Sequence, residues 1–446
     1  MADIVVASFG TFGVFFGLLI LVFLILRHRS SLIFGIYPRK SLFYHLKYVI
    51  ALIVLKRLRH RFYSKTEKHT EEVMLELDKP QTLSDNPKSY DVVSFMAANA
   101  KGQKLMVSLE RRRRGVNRAA LYLWLPEYGL LSSPNLPDML YFTTDGEKES
   151  EEFKGNGFHI YPKEAMKLWC IKYEGELKLA SEENQVNLLK VKLDLEFHSE
   201  TSHFDYNRDL SPSVIADSIA REAWNESFYM MLKSVDTILE KRTHYEQSGV
   251  ISGDIKVADK LTALKMNGFR DHSFGTERCL STINRYVYFA LFLEDGTSMV
   301  VGNLSQPSFF LSSLKVGYIC CKNGIYQPIT KCNFELYSYG EKGTPPKHQN
   351  FIVHTDKAKY FVQIKQEDSA LRYVGGNWES KVFNQFVSCT VNGVQGQGIT
   401  EYLYRHNAGR PEEVCEKDPE WYQRIRKFER SLSNFENTED TEAFFF

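Results

Sequence analysis

An arginine, an aspartate and a histidine stand side by side in the stretch Gly268-Phe269-Arg270-Asp271-His272-Ser273-Phe274-Gly275. A base, an acid and a titratable imidazole could transfer protons or hold a polar ligand. As core they would have to be desolvated, at a cost of several kcal/mol for each unpaired charge. The segment is therefore either a solvated loop or a polar site with fixed partners, with Gly268 and Gly275 read as turn formers. If it is extended, alternation points Asp271 away from Arg270 and His272. His244 and Glu246, two apart on an expected strand, face one side and could reach the same place. In residues 399–405 the same alternation puts Glu401 beside Arg405, so Glu401 is either a site carboxylate or a surface acid paired with that arginine.

The elements that must position these residues fall into two unlike parts. Residues 4–26 carry no charge over 23 positions, enough helix to cross a hydrocarbon core of about 30 Å. They read as a transmembrane helix. Between Arg27 and Lys65 stand ten Lys or Arg and no Asp or Glu, so the long C-terminal part is expected on the cytoplasmic side of a single-pass protein. Within the basic segment 27–66, the apolar patch 48–55 is too short to span. It is expected to lie among the headgroups, with membrane lipids as partners, or else to pack on the body as a basic helix.

Ten basic residues against one aspartate leave +9 in residues 1–66, and 46 against 54 leave −8 in the rest. An acidic body lacks the electrostatic footprint of a nucleic-acid binder. The run Arg111 to Arg114 reads as a solvated turn. Seven cysteines without Cys-x-x-Cys spacing indicate neither a zinc site nor a disulfide framework. No cofactor is indicated.

From about residue 90 to 410 the chain reads as strands, from 91–95 through 399–404, with turn signals between them. Short helices are expected at 213–222 and, in the tail, at 419–433. The fold class is mainly β: a first β domain over 90–250 and a second over 256–410, divided near residues 248–256, behind the membrane helix and followed by a helical or disordered tail, 411–446.

The stretches His244-Tyr245-Glu246-Gln247 and Arg270-Asp271-His272-Ser273-Phe274-Gly275, followed by Gly396-x-Gly398-Ile-Thr-Glu401-Tyr, resemble the tandem lipocalin-like family of bacterial carotenoid 1,2-hydratases and AttH-like proteins. They are also similar to the N-terminal region of arthropod proteins named phosphoenolpyruvate synthases. Trp169-Cys-Ile-Lys-Tyr173 and Glu222-Ala-Trp224-Asn225-Glu226-Ser227 add to the likeness. Departures are Phe274, where relatives carry Trp, and Glu277-Arg278-Cys279, where they continue Arg-Asp-Trp. No Gly-rich nucleotide loop accompanies these pieces, so phosphoenolpyruvate chemistry is not carried over.

The resemblance implies two lipocalin-like barrels or sandwiches with an apolar ligand cavity near their junction. It also implies acid-catalysed hydration or isomerisation of a lipid-like or isoprenoid ligand. Asp271 would be the acid, with His272 orienting it or relaying the proton, and Glu401 could raise its pKa. Trp378, Tyr286 and Tyr288 could stabilise a cation. The rival reading is a non-catalytic lipid-binding protein in which Arg270 and Asp271 lock the barrels to His244 or Glu246. A metal held by His244, His272, Asp271 and Glu401 lacks local ligand spacing. Ser273 lies in no Gly-x-Ser-x-Gly elbow.

The topology makes a prediction. Two sequons, Asn225-Glu-Ser227 and Asn303-Leu-Ser305, should stay unmodified on a cytoplasmic body, and a glycosidase-sensitive mass shift would overturn that placement.

Overall fold

In the computed structural model, the described residues are 22, 24–63, 70–86, 88–142, 151–180, 186–240, 242–278, 280–375 and 377–417. The expected membrane helix lies outside them except for its last few positions, and the tail helix lies wholly outside. Among the described residues no helix is long and apolar enough to cross a membrane.

The first β unit is built from β1 (Tyr90–Ala98), β2 (Lys104–Arg112), β3 (Val116–Leu125), β4 (Gly129–Ser132), β5 (Leu168–Ala180), β6 (Val186–His198), β7 (Arg242–Val257) and β8 (Lys260–Gly275). Their order is β6-β7-β8-β1-β2-β3-β4-β5, and the antiparallel pairing of β5 with β6 closes the ring. Closure leaves these strands no free edge. Alternate residues such as Val93, Phe95, Leu105, Val107, Trp169 and Met266 fill the interior.

The second unit is a nine-stranded antiparallel sheet that includes β9 (Arg285–Leu293), β10 (Ser298–Gln306), β11 (Leu311–Cys320), β12 (Lys359–Val374), β13 (Ser380–Val391) and β14 (Val394–Arg405). Its own core holds Phe289, Met299, Ile319, Phe351 and Tyr402. A third apolar cluster joins the two units face to face. It draws Met96, Met106, Tyr122 and Phe269 from the barrel and Phe292, Phe386 and Ile399 from the sheet.

The mainly β reading holds, but its dividing line moves. Residues 248–256, expected as the boundary, lie inside β7, which runs with β8 into the first barrel, so the units divide between Gly275 and Arg285. Gly253, at φ +143°, is a strand irregularity where an added Cβ would meet the Asp194 carbonyl at 2.2 Å. Gly268 is likewise no turn former. It lies mid-strand, where a Cβ would come within 2.8 Å of the Met96 carbonyl.

Among the described residues, the four helices of eight or more residues pack outside. They are α1 (Tyr44–Tyr63), α2 (Glu71–Asp78), α3 (Pro212–Arg221) and α4 (Glu226–Glu240). Helix α3 matches the expected 213–222; α2 and α4 were not foreseen. The patch 48–55 lies within α1 and joins Ala216 of α3 and Trp224 and Phe228 in one apolar cluster. Lys47, fully buried, donates to the carbonyls of Glu222 (2.9 Å) and His28 (3.2 Å). Packing on the body is thus realised on one face of α1, while Leu46, Val49 and Ile53 on the other stay exposed.

One end of the barrel is closed by charge. Asp78, the last residue of α2, enters the interior and pairs with Arg270; both are wholly buried. It also accepts from the Met166 amide (2.6 Å), the Trp169 indole (2.8 Å) and the Tyr245 hydroxyl (2.8 Å). Burial pushes this carboxyl up, but the Arg270 guanidinium and these donors outweigh it and hold it below its usual range. Nearby, the expected solvated turn at Arg111 to Arg114 is corrected. Arg111 is buried on Asp91 (2.7 Å), because its position in β2 faces the interior.

Removing Asp78 while Arg270 stays buried should cost about 3–5 kcal/mol. Asp78→Ala is therefore expected to lower the urea midpoint sharply, and Asp78→Leu combined with Arg270→Met to recover much of it. A loss under about 1 kcal/mol in the single variant would show the pair to be dispensable. Because the folded pKa of Asp78 is depressed, its contribution is present above its ordinary value near 3.8 and fades as pH falls through the folded value.

Candidate functional site

Strand β8 separates the three residues that the sequence places together. Arg270 and His272 point into the barrel, and Asp271 points to the junction with the second sheet. Both nitrogens of His272 are committed. Nδ1 meets the Tyr245 hydroxyl at 2.9 Å, and Nε2 meets Asp91 at 2.8 Å. Gln247 accepts from Arg270 at 3.0 Å. The expectation that His272 relays a proton to Asp271 is corrected here, since period-two alternation puts them on opposite faces of one strand. Arg270 locks the interior of one barrel, not one unit to the other.

On the junction face, β7 presents His244 and Glu246, and the register pairs Glu246 with Asp271. His244 Nε2 lies 3.0 Å from Asp271 and 3.7 Å from Glu246. Its ring stacks on Tyr206 at 4.2 Å, nearly parallel. The His244 and Asp271 side chains are 37% and 25% exposed, and Glu246 is fully buried beneath them. They form the mouth, and it forms the floor.

Three phenols converge on that floor. Tyr206 (2.9 Å) and Tyr288 (2.6 Å) donate to Glu246 Oε1, and Tyr318 (2.8 Å) donates to Oε2. Burial first, then the Glu246 charge, raises all three phenols well above their usual range, so they remain O–H donors. Burial also pushes Glu246 up to about 7, with the Asp271 carboxylate adding to the rise and His244 opposing it. For His244 burial acts downward, but Asp271 and then Glu246 outweigh it and raise the imidazole above 6.5. The result is an imidazole whose protonated form is favoured by its surroundings, beside a carboxyl pushed up to about 7. Neighbouring groups shifted upward at a partly exposed mouth make this a candidate acid–base site.

Glu401 lies on the same junction in a separate group. Its expected partner Arg405 instead binds the Ser281 carbonyl and Asn407. Glu401 pairs with Arg372 and accepts from Tyr286 (2.8 Å) and Asn384 (3.0 Å). It is nonetheless the register partner of Tyr288, which reaches Glu246. Trp378 joins neither group. At φ +55° it donates to Asp138 (3.0 Å), whose other oxygen takes Arg410 (3.1 Å), so it ties the second sheet to a loop of the barrel.

His244, Glu246 and Asp271 offer ligand atoms within 4.8 Å of one another. A metal set of His244, His272, Asp271 and Glu401, which the sequence did not support, is not assembled either, since the structure places neither His272 nor Glu401 with this trio. Sequence reasoning ranked Glu246 below Asp271 as an acid. The signal for it was the two-residue spacing to His244, but its phenol partners come from Tyr206 and from two strands of the second unit.

A family model described as a family of unknown function (DUF8627) matches residues 11–404. No curated protein matches the chain. Similar solved structures include an AttH protein (NE1406) from Nitrosomonas europaea, at 10% identity and TM-score 0.42, covering 72% of this chain and 97% of that one. Kievitone hydratase from Nectria haematococca shares 12% identity at TM-score 0.41, over 74% of this chain and 97% of that one. CghA, solved with Sch210972, shares 8% at TM-score 0.42, over 74% and 95%.

The electrostatics predict an order of effects. Asp271→Asn should lower the His244 pKa most and Glu246→Gln should lower it less, as read by NMR titration of the imidazole Cε1–H; an unmoved titration in both would refute the coupling. Raised from 4.5 to about 7, Glu246 favours the folded state below pH 4.5, and that advantage, of order 3 kcal/mol, is lost as pH rises through 7. Glu246→Gln should flatten that part of the stability profile.

Proposed function

We propose that this chain, which belongs to the family of unknown function DUF8627, takes a hydrophobic lipid-like or isoprenoid ligand at the junction of its two β units and acts on it by proton transfer. The observation that carries the reading is the His244–Asp271–Glu246 group, in which His244 and Glu246 are shifted upward, at the edge of an apolar contact between the units. A hydrophobic ligand would lie along that contact, and its reactive carbon would meet the half-exposed mouth.

His244 is the proton donor in this reading. With Nε2 held by Asp271, its Nδ1 makes no hydrogen bond among the described residues and is the nitrogen left to serve a ligand. Protonation of a carbon–carbon double bond would leave a cation. Water adding to it and returning a proton completes a hydration; loss of a neighbouring proton instead completes an isomerisation. Asp271 is the nearest base for either return, and Tyr206 and Tyr288 offer π faces beside the site. Glu246 positions and tunes His244 and touches no ligand itself. The exposed stripe of α1 supports seating the body on a lipid surface, from which such a ligand could be drawn.

The non-catalytic alternative keeps the binding and drops the chemistry. Organic extraction of the protein purified from native membranes, followed by mass spectrometry, should recover an apolar ligand. Asp271→Asn should retain that ligand while slowing its turnover about 10²–10⁴-fold. Retention with unchanged turnover would favour binding alone, and absence of any apolar ligand would sink both readings.

A further inference from the structure

The junction face of the barrel is graded from charge to apolar surface, and strand register sets the grading. Register places His244, Ser273, Val92, Glu110 and Arg118 in one row across five neighbouring strands. Two residues along, at about 7 Å, comes the row Glu246, Asp271, Ser94, Ser108 and Ala120, in which the two serine hydroxyls bond at 2.7 Å. The next row holds Phe269, Met96, Met106 and Tyr122, all in the apolar cluster shared with the second unit. The Asp271 row therefore lies between a charged end and an apolar end.

At the charged end three guanidiniums surround one carboxylate. Arg112, Arg118 and Arg278 stand 2.5, 3.7 and 3.9 Å from Glu110, which leaves the group with a net charge of +2. Arg112 also donates to the Lys88 carbonyl at 2.8 Å. Arg118 is 6% exposed, its side chain makes no hydrogen bond among the described residues, and its buried Nη1 has there only the 3.7 Å ion-pair contact with Glu110. Five donors in a planar fork are costly to bury in this way unless an acceptor completes them. Arg278, a third exposed, lies over the Tyr90 ring at 5.2 Å, and its charge reaches both Asp271 and His244, so the cluster borders the mouth already described.

We propose that Arg118, Arg112 and Arg278 form an anion subsite that grips the carboxylate or phosphate head of an amphiphilic ligand, whose apolar body runs along Phe269, Met96 and Met106. This rests on the reading of the junction as a hydrophobic-ligand site. Asp271 and Glu110 are separated by two strand spacings across the sheet and two residues along it, about 12 Å, so the reacting carbon is set some nine carbons from the head. A guanidinium fork suits either head, because both present paired oxygens. A carboxylate head offsets half of the cluster's excess charge, and a doubly ionised phosphate all of it.

Isothermal titration of the detergent-purified full chain with oleate, oleyl phosphate and oleyl alcohol tests the subsite. At least one anion should bind about tenfold or more tighter than the alcohol, and the tighter of the two identifies the head group. Arg118→Met should erase that margin, keep alcohol binding within about twofold, and leave the unfolding temperature level or higher, since Glu110 keeps Arg112 and Arg278 while a buried guanidinium whose side chain makes no hydrogen bond is removed. Equal affinity for anions and alcohol in the unaltered protein overturns the subsite but leaves the junction reading standing. A margin that survives Arg118→Met overturns it too, as does a drop in unfolding temperature without loss of the margin. Failure of all three probes to bind the unaltered protein removes the junction reading and the subsite together.

Discussion

The ion pair of Asp78 with Arg270 inside the first barrel is the interaction on which the rest depends. An aspartate at the last position of a helix is opposed by the helix dipole, and a buried arginine is costly without a partner. Each removes the other's penalty, and the indole of Trp169, the hydroxyl of Tyr245 and the Met166 amide complete the carboxylate's shell. This seals one end of the barrel and fixes the orientation of β7 and β8. Those two strands then have no freedom in which residues they turn outward.

What they turn outward is the candidate site. His244, Glu246 and Asp271 occupy the opposite face from Tyr245, Gln247, Arg270 and His272, so a structural lock and the group proposed for proton transfer share the same two strands back to back. The rival readings of the Arg270-Asp271-His272 stretch, as lock and as site, are distributed between its two faces. Rigidity on one face suits precision on the other, because side chains that must hold 3 Å contacts need a backbone that does not shift.

Much of the fold was legible from local pattern. The strand runs, the mainly β class and helix α3 follow from alternation and capping signals that act within a few residues. The boundary at 248–256 misled because Ser-Gly-Val-Ile-Ser-Gly-Asp has the composition of a linker, whereas its glycines serve close approach inside a paired strand. Arg111 misled for a related reason: in a run of four arginines nothing local marks the one that alternation turns inward to Asp91. Glu401 was located on the junction, but its partner Arg372 lies on β12, 29 residues away, and no spacing rule predicts that pairing.

The sequence by itself determined which side chains share a strand face. Backbone geometry imposes a period of two, so Asp271 had to oppose Arg270 and His272, and His244 had to accompany Glu246, wherever those strands lay. Only the tertiary structure decided which face was interior. Closure of the barrel around Asp78 buried one face, and the packed second sheet brought Tyr288 and Tyr318 onto Glu246. The pKa that makes Glu246 a candidate therefore arises from desolvation between two units far apart in the chain, a property that no stretch of residues carries alone.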